Sequence, residues 1–186
     1  THEDCRADGP PWSRQGMRLT LKPFGPVEPE ILGHLRRELR GFDEIVVAPP
    51  VALPARGYDA SRRQQLASSL FPACLEESGA RVLGVTDADL YETGLNFVVG
   101  YAQPDGRVAV ISRARLHDLN RERFLDRCLK EAVHEIGHTL GLGHDEKHAG
   151  CVMRFSRTLV DTDRKGRDYC AQCAMRAEVT LKRLRM

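Results

Sequence analysis

Residues 134–144 read His-Glu-Ile-Gly-His-Thr-Leu-Gly-Leu-Gly-His, a set of side chains whose types and spacing suit a metal ion. His134 and His138 stand at i and i+4, so a helix puts both imidazoles on one side, with Cβ atoms about 5–6 Å apart. Two such rings can converge on one zinc ion, each nitrogen at roughly 2.0–2.1 Å. Glu135 projects beside them, placed to take a proton from a metal-bound water without being a ligand itself. Gly141 is expected to end the helix, because a residue without Cβ reaches positive φ and reverses the chain. That reversal brings His144 round as third ligand. Three neutral imidazoles leave a fourth position for water, the open geometry of a catalytic zinc and not of a closed structural one. The plainer reading, histidines flanking the apolar row of an ordinary helix, would leave three partly buried rings without partners.

A second group is suggested by the cysteines. Three of the six, Cys151, Cys170 and Cys173, fall in one C-terminal stretch, and metal ligation is the first reading for them. The chain is long, has apolar residues enough for a core and lacks regular cysteine spacing, so a disulfide scaffold is not indicated. Cys74 and Cys128 read as small buried apolar residues on helices, and Cys5 as an exposed thiol near the N-terminus.

HExxHxxGxxH resembles the metzincin pattern, and the residues after it sharpen the likeness. Met153, in Cys151-Val152-Met153-Arg154-Phe155-Ser156, is similar to the metzincin Met-turn, whose side chain underlies the zinc site. Cys151 and the pair Cys170-Ala171-Gln172-Cys173 resemble three of the four cysteine positions of the archaemetzincins. The run Gly84–Tyr91, then Gly94–Gly100, Val110–Ser112 and Arg115-Leu116 resemble the same family, so that the likeness covers about residues 80–175. It implies an α+β, metzincin-like fold, with a mixed sheet packed on helices and a small C-terminal subdomain carrying the Met-turn and a final helix. It also implies a zinc-dependent peptidase acting on short peptides or on N-termini, with a second, structural zinc bound by cysteines. In one place the sequence departs from the family: Asp145, not cysteine, follows the third histidine. The fourth ligand of the second zinc is then Asp145, which holds the family's position, or His148, whose nitrogen better suits zinc among thiolates and is preferred. The alternative is a free or oxidised CxxC with no second zinc.

These side chains need elements to hold them. Met17–Leu21 alternates as a strand does, and residues 1–16 ahead of it read as a flexible leader with Met17 as a natural start. A helix is expected over about 28–40, a buried strand over Glu44–Ala48, a helix over 59–78 interrupted by Pro72, and a strand over Arg81–Thr86. Asn96–Tyr101 and Arg107–Ser112 read as a hairpin around Gln103-Pro104-Asp105-Gly106. A long helix from Asp118 or Asn120 to Leu140 carries the histidines, and a last helix begins near Cys170. The domain expectation is one catalytic unit over 17–186, divided at the cleft into 17–143 and 144–186.

Composition narrows the function. A length of 186 residues, 41% of them hydrophobic, suits one folded domain. A formal net charge of +2 gives no basic face for nucleic acid, and Arg36-Arg37 and Lys182-Arg183-Arg185 read as solvated helix faces. No stretch is apolar enough to span a bilayer, and no secretory signal stands at the start, so a cytoplasmic monomer with a peptide substrate is expected. The preferred mechanism is peptide hydrolysis by a zinc-bound water with Glu135 as general base. The rival is a zinc-stabilised binding or regulatory module that cuts nothing. Tyr101 and Tyr169 are available to stabilise an oxyanion, though single aromatics are more often structural.

Overall fold

The computed structural model describes residues 17–103 and 106–185, so the expected leader, its Cys5 and the tip of the expected hairpin turn lie outside it. The alternation beginning at Met17 becomes β1 (Arg18–Phe24), followed by α1 (Pro29–Glu38) and β2 (Glu44–Val47). Pro29 opens α1, where its missing N–H costs nothing.

The next segment corrects the expected helix over 59–78. It folds as two short strands, β3 (Tyr58–Asp59) and β4 (Gln64–Leu66), a 3₁₀ turn over Ala67–Leu70, and a single helical turn, α2 (Phe71–Leu75). The physical reason lies in two glutamines and a proline. Gln65 is buried with its Nε2 in hydrogen-bond reach of Pro54 O, Arg56 O and Ser69 Oγ, which its two N–H groups share, and Gln64 Nε2 donates to Asp89. Arg63 sits at φ 54°, a conformation no helix contains. Pro72 stands in the first turn of α2, so it starts a helix here and does not kink one.

Next come β5 (Arg81–Thr86), β6 (Leu90–Tyr91), β7 (Gly100–Ala102) and β8 (Val108–Ser112). β7 and β8 pair antiparallel as the hairpin reading expects, but β7 is shorter than Asn96–Tyr101. Val98 is drawn off to a lone bridge with Leu90. Three helices complete the described chain: α3 (Arg121–Thr139), α4 (Leu159–Arg164) and α5 (Ala171–Leu184). Nothing in the sequence reading anticipated α4, although Thr158 and Asp161 form its capping box and stand three apart.

Among the described residues the main sheet runs β2-β1-β5-β8-β7, parallel except at β7, with a smaller sheet β3-β4-β6 beside it. Alternation sorts the strands' side chains to two faces. Leu19, Leu21, Leu83, Val85, Ala109 and Ile111 join a core with α1 and α3, through Ile31, Leu35, Phe124, Cys128, Leu129 and Ile136. Phe24, Val82, Val108 and Val110 turn the other way, onto Leu70, Phe71 and Cys74. Covered on both faces, β5 and β8 read as unbroken buried runs, and each fully buried Leu or Ile contributes about 1.5–3 kcal/mol. The result is an α+β fold in which α3 lies across the sheet next to β7 and β8. No helix among the described residues is long and apolar enough to cross a membrane.

Candidate active site

Asn120 caps α3 by accepting from Arg123 N at 3.0 Å, and the helix then carries Glu131, His134, Glu135 and His138 on neighbouring turns. Its other end is tied to the sheet by Arg81, which donates to Thr139 Oγ1 and Thr139 O. Gly141, at φ 82°, ends the helix. Leu142 N donates to Gly137 O and Gly141 N to His138 O, the bond pair of a Schellman cap. The turn also returns Leu142 O to the helix, where it takes a hydrogen bond from His138 Nδ1 at 2.8 Å. Val152 O does the same for His134 Nδ1, also at 2.8 Å.

With both Nδ1 atoms donating, the Nε2 atoms of His134 and His138 are bare lone pairs, and they face each other 3.1 Å apart. One ring nitrogen of each of His134, His138 and His144 lies within 4.8 Å of the others. Burial pushes all three imidazoles below their usual pKa, His134 to about 3, so they stand neutral. Converging neutral lone pairs repel one another unless a cation lies between them, and three imidazoles are the donor set of a zinc ion with an open position. These residues fit the metal.

Glu135 is buried beside them, its carboxyl raised well above the ordinary range by burial and by the charge of Glu131. A Cβ on Gly100 would overlap Glu135 Cγ and approach its Oε1 to 2.5 Å, so β7 touches the carboxylate only because residue 100 is glycine. Met153 is fully buried beneath the histidine helix, where a Cβ on Gly137 would overlap its Sδ. Both glycines escaped the sequence reading, since a glycine inside a strand or helix pattern signals a close approach without naming the partner.

A second group among the described residues is Asp145, Cys151, Cys170 and Cys173, each offering an atom within 4.8 Å of the others. His148 is not in this group. It is half exposed, and its Nδ1 contacts Asp145 Oδ2 at 2.8 Å. Cys170 Sγ donates to the same oxygen at 2.9 Å, and this bond, then the His148 contact, holds the Asp145 carboxyl far below the usual range. Its acceptance of the Cys170 proton raises that thiol in turn, while burial lifts Cys173 to about 12. No cysteine among the described residues is in a disulfide. The two groups share backbone: His144 adjoins Asp145, Asp145 N donates to Met153 O, and Val152 stands between Cys151 and Met153.

The histidines open on a cleft of about 880 Å³ between β7 and the segment from Phe155 to Lys165. Tyr101 lines it with its ring stacked on Phe71 at 5.8 Å. Tyr169 does not line the cleft; it is half-buried and donates to Val133 O of α3 at 2.9 Å, the structural role expected more often of a single aromatic. Glu131 and Lys165, both at the cleft and both buried, were missed.

Residues 74–179 match a model of peptidase family M54. An archaemetzincin from Methanopyrus kandleri is 46% identical over 133 residues, 70% of this chain and 75% of its own length. One from Pyrococcus furiosus is 36% identical over 182 residues, covering 89% and 94% of the two chains. The crystal structure of the Methanopyrus kandleri archaemetzincin superposes with a TM-score of 0.83 at 39% identity, over 93% of this chain and 98% of that one. Family and fold agree with the chemistry of the histidine cluster: the chain belongs to peptidase family M54, the archaemetzincins, and is a zinc-dependent metallopeptidase.

Proposed function

We propose that the cleft hydrolyses peptide bonds with Glu135 as general base, at a zinc ion held by His134, His138 and His144. The observation that carries this is the pair of opposed Nε2 lone pairs beside a buried carboxylate at the edge of an open cleft. Zinc, when bound, supplies Lewis-acid polarisation and a water acidified to a pKa near 7. Glu135 takes the proton of the attacking water and delivers it to the leaving amine. β7 is the last strand of its sheet and lines the cleft, so an extended peptide can add to its free edge. Residues 17–143 and 144–186 act as the two subdomains flanking that groove.

Cys151, Cys170, Cys173 and Asp145 hold a second, structural zinc, with Asp145 in preference to His148 because its carboxylate already contacts Cys170. The Asp145 contact raises the proton affinity of Cys170 and burial that of Cys173, and a cation bound there would displace those protons.

Two variants test the reading. Glu135→Gln should lower kcat by about 10²–10⁴-fold while elemental analysis finds the zinc content unchanged; activity within a few-fold of wild type would remove Glu135 from the role. In Cys170→Ser/Cys173→Ser the zinc content should fall from two ions per chain to one. A single ion in both proteins would retire the second site and leave the histidines standing.

A further inference from the structure

One turn before Glu135 the same face of α3 carries Glu131, and Lys165, immediately after α4, closes the cleft opposite it. Neither residue belongs to either metal group. Both side chains are deeply buried, Glu131 at 9% exposure and Lys165 at 1%. Glu131 Oε1 lies 3.3 Å from Lys165 Nζ yet has no hydrogen-bond partner among the described residues, so the contact is one of charge and not a directed bond. Lys165 Nζ otherwise reaches only Arg154 O, at a long 3.5 Å. An ammonium carries three donors and a carboxylate about four acceptor sites, so most of the pair's capacity is unspent in a place where unmade hydrogen bonds are costly. Leu159 and Thr162 line the same cleft.

We propose that Glu131 and Lys165 form the floor of a specificity pocket that takes an uncharged amide side chain, glutamine or asparagine, next to the scissile bond. An amide carries an acceptor and a donor side by side. Its carbonyl accepts from Lys165 Nζ while its NH₂ donates to Glu131. A cationic side chain meets Lys165, an anionic one meets Glu131, and an aliphatic one leaves both polar groups buried and unpaired. Sites built to hydrogen-bond a polar group reject analogues lacking it far more strongly than apolar pockets reject a misfit. The proposal rests on reading the cleft as a peptide site.

The test measures binding, so it does not depend on turnover. Zinc-loaded protein is titrated by calorimetry with two series of hydroxamates, one bearing the test side chain on the acyl side of the metal-binding group, the other on the amine side. The side chains are those of Gln, Glu, Lys and Leu. In one series the Gln compound should bind roughly tenfold or more tighter than the other three. Glu131→Gln keeps the shape and leaves the Lys165 charge unbalanced, so in that series the order should reverse, Glu above Gln. Lys165→Met should abolish the preference of Gln over Leu. Leu, Lys or Glu ranking first in both series with wild type overturns the proposal. So does an unchanged ranking in Glu131→Gln, or no binding by any hydroxamate. Failure of the peptidase reading shows separately, as no cleavage of a random peptide mixture by the zinc-loaded wild type.

Discussion

Gly100 has no room for a side chain, because the space in front of its Cα belongs to the carboxylate of Glu135. Gly100→Ala should therefore disturb catalysis more than stability, the overlap costing the fold about 1–3 kcal/mol. Displacing a reacting group by an ångström costs about 10²-fold in rate, so kcat should drop by that order while the melting temperature falls by only a few degrees. A fall in melting temperature with kcat intact would place the strain in the sheet instead. The histidines and Glu135 were legible in the sequence because a helix converts a spacing of four into a shared face. Gly100, Glu131 and Lys165 were not, since each touches a partner on another element, distant in sequence, and no local period records that. Asp145 and His148 show the same limit from close by. Three positions apart, both carry a ligand atom, and only the fold decides that the Asp145 carboxylate turns in among the cysteines while His148 stays half exposed.

Elements with a strong pattern were readable: β1 and α3 fall where alternation and helical spacing put them, and β5 and β8 where short apolar runs do. The segment after residue 58 was not, because Leu66 and Leu70 mimic a helical stripe while buried glutamine hydrogen bonds set the backbone. The short α4 rests on tertiary bonds more than on its own propensity. Arg127 on α3 grips Asp163 through two bonds of 2.6 and 2.7 Å, and Lys130 Nζ donates to Thr162 O and Asp163 O. The Arg127 hydrogen bonds hold the Asp163 carboxyl below its usual pKa. A carboxyl depressed on folding adds stability that is present above its unfolded pKa of about 3.9 and is lost as pH falls through the lower folded value. Asp163→Asn should accordingly melt below wild type at neutral pH, with the gap closing as pH drops below about 4. A gap constant from pH 7 to pH 3 would mean that charge plays no part.

Over the whole molecule, two ligand groups hang on one stretch of chain, since His144 adjoins Asp145 and Val152 adjoins Cys151. Stripping both with a chelator should lower the melting temperature by an amount that depends on free zinc; a ligand at a thousand times its Kd contributes about 4 kcal/mol. Replacing the carboxylate by the softer thiolate in Asp145→Cys should slow zinc loss from the cysteine group to a chromogenic chelator by roughly tenfold; no change would argue that Asp145 never touches the ion. The free edge of β7 has a consequence of a different kind. A strand can add there only if its own N–H and C=O groups are unspent. Chain inside a folded protein has already committed those groups to its neighbours. On the proposed mode of binding, the groove would therefore select first by conformational state: tails, unfolded stretches and short fragments would be cut faster than segments already paired inside a folded protein.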